Sequence, residues 1–516
     1  MKHGGLDKFA RDTERAAAAL ILVLVLAFML ALTFAAYTQT SDLNTNHPSG
    51  ENIDFYADNI FLNTILLAIF LCVLYLFYRH CDAIHVGRME AVLLLWGFVL
   101  GAAFIASTKL RAPLYSDSHM VTYAAQRMAV GDIGMLEDNY FRRFPFQLGY
   151  VLYSELFFRV ANVLLKGTPD GYKVIALQGV NLLWLGLAYH ALVRSAQLLF
   201  RDGRVAKLMM LMLFFCFQPL LSVTFLYGNI PAFACGTCAV WMFLRFLHNG
   251  RIPFALLTAL FLTAAVMLKL NLLIFLAAIG AVWLLELLKR PTLKSALCLV
   301  LTVACVLTVR SLPQRVYEKR TGLEFGSGIP MISWMAMGFS EGHAAPGWYK
   351  EDNTVNAFER NDYDPEATAA DARAVLSERM ALFAHHPRTA LRFFWQKLRS
   401  QWNEPSYESL WINQVQLSYS EKGRFYDFFC GSGARRTAAV MNQVQQLIFL
   451  GMLLGAFSLW RGKDIRRCLL PLIILGGLLY HLLFEAKSQY ALPYFVLMLP
   501  VAAYGFYKLF QRVEFR

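Results

Sequence analysis

The sequence predicts an all-α polytopic membrane protein, with about 12 transmembrane helices of roughly 20 apolar residues each and juxtamembrane helices in two large extracytoplasmic loops. Three observations carry this. Hydrophobic residues make up 57% of the 516 and charged residues only 16%, far from the balance of a soluble domain. Apolar stretches long enough to cross about 30 Å of hydrocarbon recur from end to end. Lysine and arginine gather in alternate connections between them.

The stretches run approximately over 16–37, 59–78, 90–108, 173–193, 205–225, 230–248, 253–268, 272–288, 295–312, 441–460, 468–484 and 490–508. The first is too long, and too lacking in a cleavage site, for an ordinary secretory signal, so it reads as an anchor. Phe146–Leu165 competes as a thirteenth span. It carries Glu155 and Arg159 with aromatics at helical spacing, and counting it would invert every later loop, so it reads as a helix lying in the interface.

With the N-terminus inside, the inside connections hold clusters such as Arg194, Arg201, Arg204 and Lys207, or Arg461, Lys463, Arg466 and Arg467. The short outside loops hold only Lys269 and Lys487. The pattern predicts a multi-pass plasma-membrane protein with both termini cytoplasmic. Its organisation is then two N-terminal spans (1–89), a transmembrane core (90–312) containing a first outside loop (109–172), an outside cap loop (313–440) and the C-terminal spans (441–516).

In the cap loop, Pro365–Ala384 and Pro387–Asn403 alternate charged and apolar residues at helical spacing. The second is basic and aromatic enough to lie on a membrane surface. Ile329–Asp352, with Glu341 and His343, reads as a cover over a site.

The net charge of +13 does not signal nucleic acid, because the basic residues sit between apolar segments instead of forming one patch on a soluble domain. Nine cysteines imply no disulfide framework, since all but Cys430 fall in apolar segments or basic loops. Cys235 and Cys238 have metal-like spacing without a second ligand pair, and read as small buried residues.

Polar residues concentrate in Leu110–Tyr150, the place to look for chemistry in a chain otherwise soluble in lipid. Asp117 is its candidate base, set against a simpler role as the helix cap of Ser116-Asp117-Ser118. His119 beside it reads as a polar contact or a metal ligand. Arg142 and Arg143 precede Pro145. Together with Lys269 and Lys487 they form a predicted basic level at one membrane face, suited to a phosphate, with simple snorkelling as the alternative for each lysine.

These motifs resemble a family. The acidic Tyr115-Ser116-Asp117-Ser118-His119, the stretch Tyr140-Phe141-Arg142-Arg143-Phe144-Pro145 and the late Glu485–Tyr494 (EAKSQYALPY) are similar to the GT-C class of polyprenyl-phosphate-sugar glycosyltransferases. Within it the likeness is to protein mannosyltransferases and lipid A aminoarabinose transferases. It covers the layout from about residue 90 to 508 and leaves residues 1–89 outside.

The resemblance implies a GT-C-like fold with an extracytoplasmic active site in which Asp117 is the catalytic acid of the first loop. Arg142, Arg143, Lys269, Lys487, Tyr490, Asn229 and His119 are then implied to meet the lipid phosphate or sugar. Asn229 stands in the second outside turn, where relatives often carry an acid, and Gln489 where they often carry arginine. The first departure puts a metal shared between two acids in doubt, so a divalent cation stays an open question. The implied reaction moves a monosaccharide from undecaprenyl or a similar polyprenyl phosphate to a cell-envelope acceptor: a glycan, teichoic acid, glycolipid or protein. Membrane lipids are implied partners, and nucleic acid is not. The rival readings are a polysaccharide polymerase or ligase using a diphosphate-linked donor, and a lipid or solute transporter, which would predict paired repeats and mid-membrane charge.

Overall fold

The structure, a computed structural model, describes residues 2–43, 51–108, 116–416 and 423–514. Tyr115, the opening residues of the Leu110–Tyr150 stretch and Arg516 lie outside them. Each of the twelve apolar stretches falls on helix. Among the described residues, nine helices are long and apolar enough to cross a membrane alone, and Gly203–Leu213 with Phe217–Thr224 makes a tenth as a pair bent by 54°. The bend follows from Pro219, which lacks an N–H and whose ring crowds the carbonyl four residues earlier, just where the chain breaks. Ile252–Leu268 and Leu469–Leu483, with 17 and 15 residues, are the two shorter apolar helices.

Helix Ser488–Glu514 is apolar around most of its circumference and sits at the centre, packed along Ala434–Trp460. Its Pro493 and Pro500 are tolerated because neighbouring helices enclose it.

The basic connections meet at one end of the bundle. Arg204 Nε donates to Asp82 at 2.8 Å and Lys289 pairs with Glu14 at 2.6 Å, joining connections far apart in the chain. Arg466 bonds Glu286 at 2.5 Å, and the Tyr78 hydroxyl donates to Glu514 at 2.9 Å. Both chain ends therefore approach this end. Buried Glu90 is held there by His190 at 2.6 Å and Arg194 at 2.7 Å.

The opposite end carries the loops. Among the described residues the fold is helical except for an antiparallel ribbon, Gln39–Leu43 with Ile53–Ala57, paired Ser41 to Phe55, and an isolated bridge between Glu341 and Pro346. It is stitched to the cap through Ser41 N to Asn403 O at 3.2 Å and Ile53 N to Ala344 O at 3.3 Å. The first two spans are thus tied to residues three hundred positions later.

Phe146–Leu165 forms helix Leu148–Leu164, outside the set of long apolar helices. Its Glu155 is buried and bound by Arg320 at 2.7 Å, Arg159 at 2.8 Å and the Tyr317 hydroxyl at 2.7 Å, so the helix is clamped into the protein by a charge network. Helix Pro387–Trp402 lies on a surface only in its first half, where Leu391 is exposed. Its second half enters the core, with Trp402 fully buried. Lys397 Nζ there donates to the Gly338, Leu482 and Phe484 carbonyls at 2.5, 3.0 and 2.7 Å, satisfying two helix C-termini at once. The cation spent on those carbonyls is why an apparently amphipathic surface helix is half interior.

Candidate functional site

Helix Ser116–Ala129 places Asp117 in its first turn, where the helix dipole favours a carboxylate. Asp117 Oδ2 accepts the Tyr227 hydroxyl at 2.9 Å, and the Gln147 amide in turn donates to Tyr227. Lys269 Nζ stands 3.3 Å from the centroid of the Tyr227 ring. One tyrosine thus touches the candidate base at its hydroxyl and a cation at its face.

Backbone geometry makes this meeting possible. Gly228, at φ +85°, turns the chain into helix Asn229–Asn249, and a Cβ there would stand 3.1 Å from the Leu268 carbonyl and the Tyr150 ring. Gly149 lets the start of helix Leu148–Leu164 lie against the backbone of Met267, where a Cβ would fall 1.8 Å from its carbonyl oxygen. These two close approaches bring Gln147, Tyr227 and Lys269 to one spot. Lys269 itself is the extended break after helix Ile252–Leu268. Burial pushes its ammonium down to about 7, against the field of Asp117 and Glu485 that favours its charge.

Lys487 anchors a second group. It pairs with Glu51 at 2.9 Å. Burial alone would lower its affinity for the proton, but the carboxylates of Glu51, Glu408 and Glu485 outweigh that and raise it. Glu485 is pushed up to about 7 by burial, with Lys487 opposing. Its Oε2 accepts the Tyr490 hydroxyl at 3.4 Å. Buried Glu404 and Glu408 converge on Ser488, whose hydroxyl lies 3.0 Å from one and 3.2 Å from the other, and Gln489 N donates to Glu408 at 3.1 Å. Burial raises the pKa of both. Asn229 Nδ2 donates to Gln489 Oε1 at 3.1 Å.

The two groups belong to one region, since Asp117 and Lys487 both act electrostatically on Glu485 and on Tyr349 of the cap. The cap segment Ile329–Asp352 therefore reaches the site. Tyr140, buried in the short helix Asn139–Arg143, feels Asp117 as well, although burial is the larger cause of its raised pKa.

The predicted residues divide accordingly. Asp117, Lys269, Lys487, Tyr490 and Asn229 lie in this region. Arg142 and Arg143 extend from the same short helix towards the cap: the Arg142 guanidinium covers the Tyr363 ring at 4.3 Å and Arg143 pairs with Glu359 at 2.8 Å. His119 stacks on Tyr123, 5.3 Å between ring centres, and burial lowers its pKa. Glu341 approaches Arg379 at 3.5 Å. Among the described residues, no group of three or more His, Cys, Asp or Glu is arranged to hold a metal ion.

Sequence reading assigns no role to Tyr227 and Tyr140, although both stand in its motifs, and does not single out Gln147, Glu51, Glu404 or Glu408. Tyr227 was within reach of it, as an aromatic beside a glycine in a short outside turn. Glu51 and Glu408 carried no local signal, because their partner is remote in the chain.

No family model matches the chain. No curated protein matches it either. Among solved structures it is similar to ArnT from Cupriavidus metallidurans bound to undecaprenyl phosphate, at 14% identity over 83% of this chain and 78% of that one, with a TM-score of 0.33. An overlay this loose assigns no residue a role.

Proposed function

We propose that this multi-pass membrane protein is a GT-C-type glycosyltransferase that moves a monosaccharide from a polyprenyl-phosphate donor to an extracytoplasmic acceptor. The observation that carries the reading is the convergence of Asp117, Tyr227 and Lys269 at the end of the bundle opposite the basic connections. The positive-inside pattern supports a cytoplasmic side for those connections and both termini and an outer face for the site.

In this reading Asp117 takes the proton of the acceptor hydroxyl. That oxygen attacks the anomeric carbon from the face opposite the phosphate, and the carbon–oxygen bond to phosphate breaks with its electron pair leaving on the lipid phosphate. Configuration inverts. Tyr227 donates to Oδ2 of Asp117 and so orients the carboxylate. A positioned carboxylate contributes about 10²–10⁴-fold. Charge grows on the departing phosphate, so Lys269 and Lys487 stabilise the transition state more than the ground state. A divalent cation finds no second carboxylate at Asn229, whose amide is committed to Gln489.

The test is transfer of radiolabelled sugar from a panel of polyprenyl-phosphate monosaccharides to membrane acceptors, comparing wild type with Asp117→Asn. Transfer by the wild type and its loss in a folded, inserted mutant supports the reading. No donor consumed, or full activity in the mutant, overturns it.

A further inference from the structure

At the basic end of the bundle a recess of about 710 Å³ opens between the C-terminal turns of helices Ala434–Trp460 and Ser488–Glu514 and the connection that follows the first. We propose that it is a binding site for the phosphate headgroup of an anionic phospholipid, independent of the glycosyl-transfer site at the other end.

Among the described residues four cations line it, Arg461, Arg467, Lys508 and Arg512, against one acid, Asp464. Asp464 does little to neutralise them. Its carboxylate accepts the Arg466 backbone N–H at 3.0 Å and reaches Arg467 only at 3.8 Å. Lys508 binds a neutral amide, Gln511, at 2.9 Å, and both Lys508 and Arg467 lean on the Tyr504 ring, at 5.7 and 6.0 Å. The wall therefore combines an excess of positive charge, arginine forks that match phosphate oxygens, and an aromatic floor.

The position selects a lipid over a soluble phosphate. Arg461 follows directly on a membrane-length helix and stands 5.9 Å from the ring of Phe457, which is 49% exposed on that helix. The mouth thus sits where apolar flank gives way to charge. Basic recesses of this kind between helix ends on the cytoplasmic side suit anionic headgroups.

The experiment uses the full-length protein, delipidated in detergent and reconstituted in phosphatidylcholine vesicles with or without phosphatidylglycerol. Retained lipid is counted by native mass spectrometry and the thermal midpoint is followed. Phosphatidylglycerol is expected to remain bound and to raise the midpoint, and Arg461→Gln/Arg512→Gln, both at exposed positions, to weaken retention roughly tenfold. Lys508→Gln is the second variant and should act in the same direction. Arg251→Gln/Arg290→Gln, exposed cations in other basic connections, should change nothing. Equal retention by all variants, equal loss in the control pair, or stabilisation by inorganic phosphate that matches the lipid would each overturn the proposal.

Discussion

Asn229 donates its side-chain amide to the side-chain carbonyl of Gln489 at 3.1 Å, joining the start of helix Asn229–Asn249 to the first turn of helix Ser488–Glu514. Both side chains are neutral amides, and the donor of one satisfies the acceptor of the other.

A double-mutant cycle measures that relation. Asn229→Asp alone sets a carboxylate against an amide in a confined place and should cost about 1–3 kcal/mol of stability. Adding Gln489→Arg should return part of it, with a coupling energy of about 0.5–3 kcal/mol. Thermal midpoints of the four proteins give the value, and strict additivity would mean that the two side chains act separately.

Tyr227→Phe removes the donor to Asp117 and keeps the ring beneath Lys269. Turnover should fall roughly 10–100-fold while donor affinity holds, because one charge-assisted hydrogen bond that orients a base affects the rate by less than the base itself. Steady-state kinetics that show a KM effect alone would assign Tyr227 to binding.

Lys487 is the cation shared by Glu51, Glu408 and Glu485. Lys487→Met strands buried carboxylates and should destabilise by about 3–5 kcal/mol, the usual cost of removing one partner from a buried pair. A thermal midpoint unchanged from wild type would show that the acids take up protons without penalty.

Glu485 sets a pH dependence. Its carboxyl is pushed up to about 7 from an ordinary 4.5, so between those values the folded protein holds a proton that the unfolded chain has released. Stability then falls as pH rises through the window from about 4.5 to about 7, the sign that follows when the native state binds more protons. Thermal melts across that range should show the decline, and Glu485→Gln should lessen it, with Glu404 and Glu408, also raised by burial, keeping a part.

Much of the architecture was legible in order along the chain. Membrane-length apolar runs, and lysine and arginine in alternate connections, are local properties, and the structure places helix on all twelve stretches and draws the basic connections to one end. The helix Pro387–Trp402 shows where local reading stops. Its pattern of basic and aromatic residues describes a surface helix, yet Lys397 is consumed by carbonyls of two other helices, and no composition of sixteen residues reveals that. The site divides in the same way. Asp117, Lys269 and Lys487 stand out as polar residues in or beside outside loops, whereas Tyr227 and the acids around Lys487 are marked only by their partners.

By itself the sequence determined a helical multi-pass protein with its polar chemistry in particular loops, because crossing hydrocarbon requires long apolar runs with internally satisfied backbones, and such runs are written in consecutive residues. Tertiary structure alone decided that Tyr227 bridges Asp117 and Lys269, that Lys487 answers Glu51 across more than four hundred residues, and that Asn229 meets Gln489. Those pairings depend on which loops the packed helices bring together, and a buried charge or amide is defined by the neighbour that satisfies it, not by its place in the chain.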